Sequence, residues 1–180
     1  MRIRILLAVG LVLIGVALLA RPWEPHPDQH APLPAAPDSA AVRVRTVTLW
    51  FASPEGDSLV VEPRDLAEEP EFHPRLAGLI SALEQGPRGA GARTLPAGTA
   101  LLHAYLDDEG LLTLDLSVPF RQGFVGGARV EELVIGSLVR TVSANTPEAK
   151  HIRIVCGGAA FSTLGGHFPV DRPLDPDDWP

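Results

Sequence analysis

Leu112-Thr113-Leu114-Asp115-Leu116-Ser117-Val118 is the stretch that decides the fold. Apolar and polar residues alternate through it without a break. Successive side chains of a strand point to opposite faces of its sheet. Leu112, Leu114, Leu116 and Val118 therefore share a core face. Thr113, Asp115 and Ser117 share the other, either as a binding face or as the solvated side of a half-buried strand. Just upstream, Asp107-Asp108-Glu109-Gly110 reads as a turn, and Leu101 to Leu106 as the partner strand of an antiparallel hairpin.

Downstream, Gly126-Gly127 opens a helix. Glu131 and Glu132 fall in its first turn, where the positive end of the helix dipole favours acids. Val130, Leu133, Val134, Leu138 and Val142 make its apolar face, and Asn145 and Pro147 stop it. Ile152 to Cys156 alternates like a further strand. Upstream, Val47, Leu49 and Phe51 share one strand face. Ser53-Pro54-Glu55-Gly56-Asp57 is a turn, and Leu59 to Glu62 is a second strand that Pro63 confines to an edge or an end. His73 precedes a helix with Pro74 early in it and a stripe of Leu76, Leu79, Ile80 and Leu83; Gly86-Pro87 ends it. The order is ββαββαβ. It predicts an α+β two-layer sandwich, with two helices packed on one face of a small mixed sheet.

The ends are different in kind. Arg2 and Arg4 precede an apolar run from Ile5 to Ala20. A run of ~20 residues spans a bilayer, and ~17 is near the minimum. Leu18 and Arg21-Pro22 suit signal cleavage poorly, which favours an uncleaved signal anchor over a cleaved signal peptide. The arginines place the N-terminus in the cytoplasm and the domain outside, in a periplasm or at a cell surface. Residues 21–42 hold six prolines and read as an extended linker. The organisation expected is an anchor at 1–20, a linker at 21–42, a folded domain at 43–172 and an acidic, proline-rich, solvated tail at 173–180.

Composition and motifs exclude several functions. The net charge is −7 with no basic stripe, which argues against nucleic acid as a partner. The single cysteine, Cys156, excludes an intrachain disulfide and reads as a buried small residue. Only His26 and His30 have the i, i+4 spacing of a helical zinc site, and they lie in the linker. His103 stands alone in a strand. There is no G-x-S-x-G and no phosphate-binding glycine loop, and the acids Asp107-Asp108-Glu109 sit in a hairpin turn, where they read as solvent-facing. No catalytic, cofactor or metal residue emerges, and the expectation is a non-enzyme. The interaction face expected is Thr113, Asp115 and Ser117.

The ordered pieces resemble the GerMN domain family of spore-germination and other bacterial envelope proteins, over roughly residues 44–172. They are Val47-Thr48-Leu49-Trp50-Phe51 followed by Leu59 to Arg64, then Leu83 with Gly86-Pro87, then Leu95-Pro96-Ala97-Gly98-Thr99. Leu114-Asp115-Leu116-Ser117 with Phe120, Thr141 in the second helix, Ile152 to Gly157, and Gly166-His167 complete the set. Many such proteins are lipoproteins. This chain has no lipid-acceptor cysteine, so residues 5–20 would do the anchoring. The resemblance implies a fold akin to ring-building modules and a non-catalytic role in interaction or assembly at the envelope, tied to sporulation, germination or cell-wall processes. The partner it implies is an envelope protein, peptidoglycan or a second copy of the chain. The other reading is an accessory or catalytic component of peptidoglycan remodelling, built around Asp115 and His103.

Overall fold

The computed structural model describes residues 43–179. The expected anchor and linker lie outside the described residues. Among those described, no helix is long and apolar enough to cross a membrane.

The elements follow the expected order: β1 (Val44–Ala52), β2 (Leu59–Ala67), α1 (Phe72–Gln85), β3 (Leu101–Leu106), β4 (Leu111–Leu116), a short α2 (Pro119–Gln122), α3 (Ala128–Asn145) and β5 (His151–Cys156). The α+β class holds, with one difference in layout. The strands form two sheets, an antiparallel β1–β2 pair and a mixed β3–β4–β5 sheet. In the mixed sheet β4 runs antiparallel to β3 and parallel to β5. Helices α1 and α3 pack on each other, on β1 and, through α1, on β3.

The alternation in the deciding stretch is realised at its centre. Leu112, Leu114 and Leu116 are fully buried. Val118 is not in their row: the strand ends at Leu116, and Val118 caps α2 and is 45% exposed. The early Pro119 starts that turn of helix, which seats Phe120 in the core. Val47, Leu49 and Phe51 are buried, as are Leu76, Leu79, Ile80 and Leu83 of α1. Gly86 closes α1 with φ 87°, a conformation open to glycine at little cost. On α3 the apolar face is Leu133, Val134, Ile135, Leu138, Val139 and Val142; Val130 stands outside it, half exposed. His73 belongs to the first turn of α1 instead of preceding it.

The outer edge of β1 is occupied by a helix instead of by a strand of the mixed sheet. The outward backbone groups of β1 are bonded by side chains of α3. Asn145 Oδ1 accepts from Thr48 N–H at 3.1 Å, and Asn145 Nδ2 donates to Thr48 C=O at 2.7 Å. Thr141 Oγ1 accepts from Trp50 N–H at 2.9 Å, and Ser137 Oγ donates to Trp50 C=O at 2.6 Å. Residues four apart on a helix lie on one face, so Ser137, Thr141 and Asn145 stand in for a strand. On β2, Pro63 lies opposite Thr48, whose backbone groups point away from it. Pro63 therefore loses no ladder bond and presents no N–H to solvent.

The C-terminal residues are not a solvated tail. Leu174 and Ile152 exchange backbone hydrogen bonds of 2.9 and 2.7 Å, which adds a bridge to the edge of β5. Leu174 and Trp179 are buried. The Trp179 carbonyl accepts from Arg140 Nε and Nη2 at 3.0 and 2.6 Å. The acids are the solvent side of this strap: Asp175 Oδ1 accepts from Asp177 N–H and opens a turn of 3₁₀-helix at Pro176–Asp178. Leu174→Ala should lower the unfolding free energy by about 2 kcal/mol, the low end for a buried leucine. A urea midpoint equal to wild type would return these residues to the surface.

Candidate functional site

The mixed sheet has one face against the helices and one turned away. Strand alternation puts His103 and Tyr105 of β3, Thr113 and Asp115 of β4, and Arg153 and Val155 of β5 on the outward face. Register aligns Tyr105, Thr113 and Arg153 in one row and His103, Asp115 and Val155 in the next. Tyr105 is 68% exposed, His103 is exposed, and Thr113 and Arg153 are half-buried. This row joins an aromatic ring, a hydroxyl and a guanidinium on a rigid support.

The expected face of Thr113, Asp115 and Ser117 falls on this sheet, but its members are not alike. Asp115 is buried beneath the turn that follows β5, and its Oδ1 accepts from Gly158 N–H at 2.9 Å. Ser117 Oγ accepts from Ala100 N–H and donates to Gly98 C=O, both at 2.9 Å, and so holds the loop before β3. Both side chains are spent inside the chain. Thr113 keeps its place on the open face. Tyr105 and Arg153 join it there. They were legible only as strand positions, since nothing in a single strand says which neighbour will lie beside it.

Two other polar centres hold the domain together. Glu131, on the first turn of α3, is fully buried. Its carboxylate accepts from Leu164 N–H at 3.0 Å, His167 N–H at 2.9 Å and Phe168 N–H at 3.4 Å. His167 Nδ1 lies 2.8 Å away and donates too, because an ionised carboxylate only accepts. Burial pushes the Glu131 carboxyl up, but the Gly165 amide, the His167 ring and the amides of His167 and Phe168 hold it below the ordinary glutamate range. Gly165 lets the loop come this close: a Cβ there would meet Phe124 Cε1 at 2.4 Å and Glu131 Oε2 at 3.0 Å. Arg64, the second centre, is buried over the Phe51 ring and donates to Ala82 C=O at 2.8 Å and Gly86 C=O at 2.9 Å. It also pairs with Glu62, which accepts from Arg88 and Gly89 N–H at 2.8 and 2.9 Å. Burial raises the Glu62 carboxyl; the amides and Arg64 more than offset it.

A surface groove of ≈ 510 Å³ runs beside the C-terminal strap, lined by Phe168, Leu174, Trp179, Arg172, Glu132 and His151 among others. Its charges are of both signs and form no converging set. Cys156 is buried, and its thiol lies 3.4 Å from Ser117 C=O. Among the described residues, no three His, Cys, Asp or Glu side chains are grouped as a metal site requires.

Fold and site thus define a small α+β module whose buried charged groups, Arg64, Asp115 and Glu131, are bonded to its own backbone and whose mixed sheet leaves one face open. The chain belongs to the Germane family, described by sporulation and spore germination, whose profile matches residues 48–160. Solved structures of similar fold include a candidate lipoprotein of Clostridium perfringens, 24% identical, with a TM-score of 0.53 over 78% of this chain and 93% of that one. The tandem GerMN domains of the Bacillus subtilis sporulation protein GerM give a TM-score of 0.60 at 15% identity, over 76% of this chain and 48% of that one. The first of those GerMN domains alone gives 0.57 at 15% identity, over 74% of this chain and 99% of that one. No curated protein matches the chain significantly.

Proposed function

We propose that this protein is a non-catalytic interaction or assembly module of the bacterial envelope, tethered to the membrane by residues 5–20 and displayed outside the cytoplasm. One observation carries the reading. Glu131, Asp115, Glu62 and Arg64 are the charged groups that burial could activate, and each is engaged by the domain's own backbone. What the domain offers to other molecules is the sheet face around Tyr105, Thr113 and Arg153. A link to sporulation or germination rests on the family description, and an envelope location is supported by the lipoprotein designation of the Clostridium perfringens relative.

The test is a photo-crosslinking amino acid placed at Tyr105 in the full chain, in native cells, with the same substitution at Glu55 of the β1–β2 turn as control. Discrete adducts from position 105 alone are expected. Equal or absent adducts at the two positions, with dye released from purified peptidoglycan by the protein, would replace an interaction module with a wall hydrolase.

A further inference from the structure

Each sheet has two edges, and a bare edge is a template for another strand. Two of the four edges here are covered, and a third is interrupted by a proline. The outer edge of β1 is bonded by Ser137, Thr141 and Asn145. That of β2 carries Pro63, which has no N–H. On β5, Leu174 takes both backbone groups of Ile152, and Ala159 those of Cys156 at 2.9 and 3.3 Å, leaving only Ile154 between them. The fourth is β3. Leu111 C=O accepts from Asp107 N–H, and Ala100 C=O accepts from Ser117 N–H, so the odd-numbered groups of β4 turn toward β3. Their partners Tyr105 and His103 turn inward in return, and Ala104 and Leu106 turn out. His73 Nε2, 3.1 Å from Leu102 C=O, touches the start of this edge. No strand pairs with the rest among the described residues.

We propose that the β3 edge pairs antiparallel with the β3 edge of a second copy, about a two-fold axis at Ala104, joining two three-stranded sheets into one of six strands. The inference rests on the interaction-module reading and names its partner. The sequence of the edge fits itself. Leu101-Leu102-His103-Ala104-Tyr105-Leu106 contains no Asp, Glu, Lys or Arg, the residues that guard an edge against its own kind. A β-bulge between Leu101 and His103 ends the regular edge, so the pairing about Ala104 runs from His103 to Tyr105. That pairing sets Tyr105 beside His103 of the second copy, an aromatic pair with no like charges opposed. Tyr105, 68% exposed, and the exposed His103 of the second copy lie against each other across that seam. A two-fold axis makes the contact isologous, so it closes at two copies. Confinement to one membrane raises the effective concentration of copies and favours even a weak pair.

The experiment uses the full chain carrying Cys156→Ala. Residues opposed across an antiparallel pair have Cα atoms roughly 4.5–5.5 Å apart, within disulfide reach. Ala104→Cys in native membranes should give a disulfide-linked dimer on mild oxidation, at least tenfold above Thr113→Cys on the middle strand. Ala104→Pro should abolish the dimer of the detergent-solubilised chain in sedimentation while keeping its urea midpoint, since it removes only an outward N–H. Dimer yields equal at positions 104 and 113, in proteins that unfold like the parent, overturn the pairing. If position 105 still crosslinks to another molecule in that case, the interaction module stands and only its partner changes. If position 105 is silent too, both readings fall.

Discussion

Glu131→Ala is expected to lower the unfolding free energy by about 3 kcal/mol and to free the loop around residues 164–168. The carboxylate has no exposed surface, and the amides of Leu164, His167 and Phe168 converge on it. Alanine leaves those donors without a partner in a space water enters poorly. A stranded buried donor costs about 1–3 kcal/mol, and removing one partner of a buried charged set costs about 3–5. The estimate sits at the low end because the loop is only partly buried and can turn some amides to solvent. Urea unfolding measures the loss, and hydrogen exchange at the three amides locates it. Exchange unchanged at all three would mean that the carboxylate does not hold the loop. Glu131→Gln keeps the shape but replaces one acceptor oxygen with a donor, so it should lose less. The sign of the pH dependence follows. A carboxyl held below its unfolded value contributes fully above that value, about 4.3, and its contribution fades as pH falls through the folded one. The gap between wild type and Glu131→Ala should therefore be flat near neutrality and narrow in acid.

The sequence made Glu131 visible for the wrong reason. An acid in the first turn of a helix is favoured by the dipole wherever it points, so its position carried no sign of a loop 33 residues away that would close on it. The apolar rows were legible because period is a local property: Leu112, Leu114 and Leu116, or Leu76, Leu79, Ile80 and Leu83, announce a face before any partner is known. What the buried face packs against is not local. Asp115 and Ser117 alternate with the leucines as solvent-facing residues would, yet chain segments arriving from residues 158 and 98–100 cover or bind them. The C-terminal strap failed for a related reason. Its prolines and acids satisfy every rule for a solvated tail, and only Leu174 and Trp179 mark the two points at which it is fastened. Tyr105 was legible as a strand residue and illegible as a site, because its neighbours Thr113 and Arg153 are set by register across two strands.

The division into two sheets was the least legible feature, and Asn145→Leu tests the helix that occupies the β1 edge. Asn145 is buried at the last turn of α3 and uses its whole amide. It accepts from Thr48 N–H, and its Nδ2 donates to Thr48 C=O and to Thr141 C=O, both at 2.7 Å. Leucine is similar in size and keeps the packing, so the change isolates the polar role. It strands both backbone groups of Thr48 against an apolar side chain, which should cost about 3 kcal/mol. Ser137→Ala and Thr141→Val each remove one link to Trp50 and should cost about 1 kcal/mol apiece. The three are members of one network, so their combined loss should depart from the sum by at least about 0.5 kcal/mol. Sums that add within error would mean three independent hydrogen bonds and no shared edge cover. The double consequence is what distinguishes this prediction from an ordinary core defect. With Asn145 replaced, the Thr48 groups of β1 lose their partner while Ser137 and Thr141 still hold Trp50, so each opening of the last turn of α3 exposes an unpaired stretch of β1 edge. Asn145→Leu should therefore associate beyond a dimer at concentrations where Leu174→Ala, similarly destabilised, does not.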